Sequence, residues 1–222
     1  MTKYLFIAGH GKKRDGTFDP GAKGFISMGE TLYYKDLMFP AMKKYVPPGH
    51  EVNFFSDYNV YDRQNLAQLA KGYDEVIEWH YDASPSNANA RGGHVIIYAG
   101  YKPDALDLRI RDGIKNTVGI WQSMSHLGHL GISGRSNLLN PNIAAQNRIS
   151  YRLVELGFCT NKKDAEYMLN NIDTIAKELC RQIFGSIATT SESSTSEPKK
   201  ISAYYKIDTD KINIHEKAWS DS

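Results

Sequence analysis

The chain of 222 residues has only two cysteines, Cys159 and Cys180, and no CxxC pair. Such poverty excludes a disulfide-built scaffold and a cysteine-ligated zinc site. Long apolar runs are also missing. The first run, residues 4–8, is stopped by Gly9 and His10, which is too short for the core of a secretory signal. Nothing later approaches the roughly 20 apolar residues of a membrane-spanning helix. No membrane insertion is therefore expected, and the protein is expected to stay in the cytoplasm or to leave by a route not encoded at its N-terminus. Basic clusters are absent too. Lys and Arg number 27 against 25 Asp and Glu, a net charge of +2, so nucleic acid is not an expected partner. There are no internal repeats and no compact HExxH helix.

What remains is an ordinary globular composition. Hydrophobic residues make up 41% and charged residues 23%, enough for one good core or a domain plus a tail. Strand-like runs recur: KYLFIA (3–8), EVNFFS (51–56), DEVIEWH (74–80), GGHVIIYA (92–99) and ISYRLVELGF (149–158). Helical patterns lie between them. They cover residues 30–45, with Pro40 kinking the helix or sitting near a helix start, then 65–71, 104–124, 162–170 with Asn161 as N-cap, and 172–187. Alternating strands and helices predict an α/β fold with one twisted, mostly parallel sheet and helices on both faces. After Ala188 the composition changes to TTSESSTSEPKK, which cannot bury a core. The expected domains are therefore 1–188, a Ser/Thr-rich linker at 189–200, and a tail at 201–222, docked or the start of a truncated second module.

In a parallel α/β sheet, ligands gather at the carboxyl ends of the strands. His10 follows the first strand, His80 closes DEVIEWH, and Glu155 lies near the end of YRLVELGF. Glu30 begins the first long helix after a glycine-rich loop. Two histidines and a carboxylate form a zinc site with one position left for water, and a second carboxylate serves as general base and acid. Strand-end histidines are also common as structural hydrogen-bonding groups, and for Glu155 a buried ion pair with Arg152 or Arg148 is the competing explanation.

The segments IAGHG, DPGAKG, the following glutamate, the strand ending in His80, and ISYRLVELGFCTN together resemble the zinc-dependent N-acetylmuramoyl-L-alanine amidases of the amidase-3 type, over residues 3–188. The resemblance implies about six strands, zinc held by His10, Glu30 and His80, and Glu155 as the catalytic carboxylate. It also implies cleavage, in bacterial peptidoglycan, of the amide between N-acetylmuramic acid and L-alanine. With the Ser-rich linker, the chain looks like a bacteriophage endolysin, acting as a monomer and held in the host cytoplasm until lysis delivers it to the cell wall. Two departures stand out. Tyr81-Asp82-Ala83 replaces a neutral residue and Asn-Ala after His80, and the lead-in to Glu30 is long, which leaves Asp36 as an alternative ligand. A catalytically inactive wall-binding module and a zinc carboxypeptidase, with Arg135 reading a substrate carboxylate, are the rival functions. Cys159 as nucleophile and a second metal pair at His126 and His129 are the less favoured chemistries; His94 and His50 are expected to be structural, groove-lining or solvated.

Overall fold

The computed structural model describes residues 1–188; the expected linker and tail lie outside the described residues. The first strand, β1 (Thr2–Ala8), has five successive buried residues from Tyr4 to Ala8, as a strand covered on both faces must. A small hairpin follows, β2 (Gly11–Lys12) and β3 (Phe18–Asp19). The helix expected across 30–45 is present but changes type along its length. It starts as α1 (Glu30–Leu32), widens to a π-helical stretch (Tyr33–Met38), and continues as α2 (Phe39–Lys43) with Pro40 in its first turn. The wider π-helical turn carries the chain into it, the Phe39 N–H bonding the Tyr34 carbonyl five residues back, and Pro40 itself has no N–H to bond.

The chain then runs through β4 (His50–Phe55), α3 (Val60–Arg63), α4 (Leu66–Leu69), β5 (Glu75–Asp82) and β6 (His94–Tyr98). Next come α5 (Ala105–Lys115), the hairpin β7 (Ser125–His126) and β8 (His129–Leu130), β9 (Ile132–Arg135) and α6 (Leu139–Gln146). It finishes with β10 (Tyr151–Phe158), α7 (Lys162–Asn170) and α8 (Ile172–Phe184). Helix α7 occupies the expected residues, and its Asn161 cap accepts the N–H groups of Lys163 and Asp164. Helix α5 stops earlier than the periodicity of 104–124 predicts. The chain turns at Gly119, whose φ is +94° and whose N–H returns to the Ile114 carbonyl. Val118 stays in the core beyond the helix end, which is why the apolar pattern outlasts the helix.

Six strands form the main sheet in the order β4-β1-β5-β10-β6-β9. The first four are mutually parallel; β6 is antiparallel to β10, and β9 is parallel to β6. The mostly parallel α/β sheet expected from the sequence is thus present, with two reversed strands at one side. Strand alternation sends Tyr4, Phe6, Ile77, Trp79, Val154 and Leu156 into one core layer with α2, α5 and α8. Leu5, Ile7, Val76 and Leu153 enter the other layer with Val60, Leu66 and Ala144. Phe6 is fully buried against Trp79 and Phe54; burying such a side chain contributes about 1.5–3 kcal/mol.

Arg152 is buried toward α5, where it donates to Asp107 at 2.8 Å, Asp104 at 3.0 Å and Glu75 at 2.5 Å. These carboxylates satisfy its guanidinium, and no ion pair joins it to Glu155 among the described residues. The buried-pair explanation for Glu155 with Arg152 therefore fails.

Candidate metal centre and active site

The chain leaves β1 through Gly9-His10-Gly11. His10 itself adopts a left-handed backbone, φ +63°, a conformation that costs a non-glycine residue energy and that clusters at functional sites. The turn swings the imidazole toward Glu30, the first residue of α1. The His10 Nε2 atom lies 3.2 Å from Glu30 Oε1, and His80 Nδ1, near the end of β5, lies 2.9 Å from Glu30 Oε2. One ligand atom from each of His10, Glu30 and His80 falls within 4.8 Å of the other two. Asp36, the alternative to Glu30, is exposed on the π-helical stretch and takes no part in the group.

The other nitrogen of each imidazole is committed. His10 Nδ1 donates to Asp19 Oδ2 at 2.9 Å, and Asp19 is fixed in turn by the Gly21 N–H and the Asn59 amide. His80 Nε2 donates to Glu78 Oε1 at 3.0 Å, while Glu78 Oε2 accepts from Asn140 at 2.8 Å and Tyr151 at 2.6 Å. Such carboxylate–imidazole pairs set the tautomer and raise the basicity of a metal-ligating histidine. Glu30 is buried, and its oxygens also accept from the N–H groups of Ala22 at 2.7 Å and Tyr81 at 3.2 Å. The Tyr34 hydroxyl donates to the His80 carbonyl at 2.6 Å, tying the strand end to the helix. A Cβ on Gly21 would stand 2.7 Å from both Glu30 Oε1 and His10 Cδ2, so the loop passes where only glycine fits.

Two nitrogens and a carboxylate, each held by a second partner, fit a divalent metal that accepts borderline ligands, zinc above all. The electrostatics of the protein alone agree. Burial works to raise the Glu30 carboxyl, but hydrogen bonds and charge from His10 and His80 bring it down to about 2. Burial disfavours charge on His80, yet its contacts with Glu30 and Glu78 raise it well above the usual imidazole value, and His10 is raised by Glu30 and Asp19 in the same way. Three carboxylates, Asp19, Glu30 and Glu78, thus surround the two imidazoles and favour a cation among them.

Glu155 sits beside this group. It is the direct strand partner of His80 across the parallel β10–β5 pair, just before the ladder shifts register. Burial pushes its carboxyl well above the usual range; the charge of His80 opposes this, and Glu30, Asp82 and Glu78 add to it. Its Oε2 is buried and has no hydrogen-bond partner among the described residues. Asp82, the departure from the resembling pattern, is raised by burial and accepts from the Ala83 N–H at 2.8 Å.

The remaining candidates disperse. Burial pushes the Cys159 thiol up to about 12, which leaves it protonated and a poor nucleophile. His126 and His129 face each other across the β7–β8 hairpin, with His126 Nε2 bonded to the Tyr101 carbonyl; they are not part of the metal-competent group. His50 packs against Tyr4 and Phe184 at the start of β4. Asp19 and Glu78 were not anticipated as partners. Glu78 had a legible signal: it lies two residues before His80 in a strand, hence on the same face.

Comparison with known proteins agrees with this architecture. The chain is 33% identical over 201 residues to "Probable autolysin PH" of Staphylococcus aureus, an alignment covering 82% of this chain and 38% of that protein. It thus spans well under half of that relative's length. The fold superposes on the catalytic domain of the CD27L endolysin targeting Clostridia difficile with a TM-score of 0.60 at 21% identity, covering 84% of this chain and 98% of the other. It superposes on the N-acetylmuramyl-L-alanine amidase Ami1 from Mycobacterium smegmatis with a TM-score of 0.62 at 17% identity, covering 83% and 95%. At those identities the two structures speak for the fold. Residues 5–185 match the amidase-3 model, and on that match, spanning β1 through α8, the chain belongs to the N-acetylmuramoyl-L-alanine amidase family.

Proposed function

We propose that residues 1–188 form a zinc-dependent amidase that hydrolyses the bond between N-acetylmuramic acid and L-alanine in bacterial peptidoglycan. The observation that carries this reading is the convergence of His10, Glu30 and His80 within 4.8 Å with Glu155 in register beside His80. His10, through Nε2, His80, through Nδ1, and the Glu30 carboxylate would hold the metal. A bound zinc lowers the pKa of its water to about 7 and polarises a carbonyl.

The chain's own residues supply the rest. Asp19 and Glu78 hold the two imidazoles in the tautomers that leave Nε2 and Nδ1 free to ligate. Glu155 takes a proton from the attacking water and delivers it to the departing L-alanine nitrogen, so the carboxylate is regenerated in each turnover. Its half-buried position, with Oε2 out of solvent, suits a group that must carry a proton near neutral pH. We further propose that 189–200 is a linker and that the protein is a monomeric lytic enzyme of the bacteriophage endolysin type. The linker composition supports that extension.

Mass spectrometry of purified peptidoglycan after digestion tests the activity. The expected products are free L-alanine amines and glycan strands with intact muramyl groups. Release of a stem-peptide terminal residue alone would mean a carboxypeptidase. The roles are tested by Glu155→Gln, which is expected to keep zinc and lose about 10²–10⁴-fold in turnover, against Glu30→Gln, which is expected to lose zinc. The reverse pattern exchanges the two carboxylates.

A further inference from the structure

Glu155 has a second strand neighbour. Across the antiparallel β10–β6 pair its direct partner is His94, as His80 is its partner on β5. Direct partners in a sheet project to the same face with Cβ atoms about 4.5–5.5 Å apart. Three adjacent strands therefore carry the row His80, Glu155, His94. His94 is 2% exposed. Its ring lies 5.4 Å from that of Trp121, which packs edge-on against Phe158. At Gly93 the entry to β6 runs so close to the Glu155 and Leu156 carbonyls that a Cβ would overlap them, which fixes the height of His94 against β10.

Two buried polar atoms in this row have no partner among the described residues: Glu155 Oε2 and His94 Nδ1. A single buried atom of this kind costs about 1–3 kcal/mol, and native structures hold few of them. Here two lie on directly paired residues next to His80, and they are not bonded to each other. A purely structural histidine packed on Trp121 explains the ring contact but leaves Nδ1 unexplained.

We propose that His94 is a positioning residue for proton transfer: its Nδ1 and Glu155 Oε2 bind one shared group, the attacking water, and His94 thereby selects the Glu155 oxygen that carries the proton. The inference rests on the assignment of Glu155 in the proposed function. Proton balance is simple. Water gives its proton to Glu155, Glu155 gives it to the leaving nitrogen, and His94 keeps its own throughout. Burial, with the charge of Arg135 added, holds the His94 imidazole down to about 4, so it stays neutral where Glu155 works.

The test separates the nitrogen from the ring. His94→Phe keeps the aromatic contact with Trp121 and removes Nδ1; His94→Asn restores a polar atom near the Nδ1 position. On a soluble N-acetylmuramoyl-L-alanyl peptide, His94→Phe is expected to lower kcat on the order of 10–100-fold, with KM and zinc content unchanged and His94→Asn recovering most of the loss. In a Glu155→Gln background, His94→Phe should cost nothing more, because the two act on one group. Wild-type kcat in His94→Phe, equal loss in both variants, or additivity with Glu155→Gln would each overturn the proposal. A readout that needs no His94 variant is the ¹⁵N resonance of His94 Nδ1. It is expected to shift on Glu155→Gln, and an unmoved resonance also overturns the proposal. Full turnover in Glu155→Gln would instead defeat the role of Glu155 itself, whereas an inactive Glu155→Gln beside a fully active His94→Phe defeats only the role of His94.

Discussion

The imidazole of His80 lies against the backbone of Gly9, so closely that a Cβ on Gly9 would stand 2.0 Å from Cε1 and 2.4 Å from both Nδ1 and Nε2. The Gly9 N–H also bonds the Trp79 carbonyl at 3.0 Å, joining the two strand ends. The glycine before His10 thus makes room for the other histidine, remote in sequence.

Gly9→Ala is therefore expected to displace the His80 ring while leaving the core intact. Zinc content should fall to about a tenth of the parent or less, with the circular dichroism spectrum preserved. An alanine variant that keeps stoichiometric zinc would remove His80 from the ligand set.

Metal dependence is expected of the same group. The protein is expected to hold about one zinc per chain, to lose activity to a chelator and to recover it with zinc. Because His10 and His80 are raised in the metal-free protein, zinc must displace protons from both rings. Apparent affinity should climb with pH between 6 and 8, by up to about tenfold per released proton per pH unit. Competition with a chromophoric chelator measures this, and a flat profile would exclude imidazole ligation.

Asp19 is a part-exposed residue that accepts from His10 Nδ1 at 2.9 Å. Asp19→Ala is expected to weaken zinc binding or activity by about 10–100-fold with little change in melting temperature. Glu78→Gln is expected to weaken zinc similarly, because Asn140 and Tyr151 still bond one amide oxygen while the charge facing His80 is gone. Zinc affinity equal to the parent's in both variants would deny these carboxylates a supporting role.

Away from the site, Glu178 links α8 to α5. It accepts from Arg181, Asn116 and Gln182, and the Arg181 hydrogen bond leads in bringing its carboxyl down from 4.5 to about 2. A carboxyl depressed on folding stabilises above its unfolded value and loses that contribution as pH falls through its folded value. Glu178→Gln should therefore be less stable than the parent at pH 7, within the about 0.2–1 kcal/mol typical of exposed pairs. The gap should narrow from about pH 4.5 toward pH 2. Urea midpoints at pH 7, 4 and 3 check the sign; a gap that widens with acid contradicts it.

Long, strongly patterned elements were legible in the sequence. Strands β1, β5 and β10 carry near-continuous apolar runs, and α7 announces its cap at Asn161. The short pieces were not. Strand β9 has four residues including Gly134, and the β7–β8 hairpin has two per strand, too few for a period to show. The reversal of β6 was invisible because a buried strand reads alike in both directions. At the site, His10, Glu30, His80 and Glu155 stood out as polar residues at strand and helix ends. Asp19 and Asn140 did not, because their value comes from contacts with residues remote in sequence.

The order of the sheet also dictates when it can be completed. Strand β10, the last to be made among the described residues, inserts between β5 and β6, which are made earlier and do not pair with each other. Non-local pairing of this kind folds slowly, and unpaired strand edges invite association with other chains. A nascent chain short of Tyr151 holds two open edges at the middle of its sheet and lacks Glu155. Synthesis of one eight-residue strand then seals both edges and delivers the carboxylate, so the sheet and the site are finished in the same event.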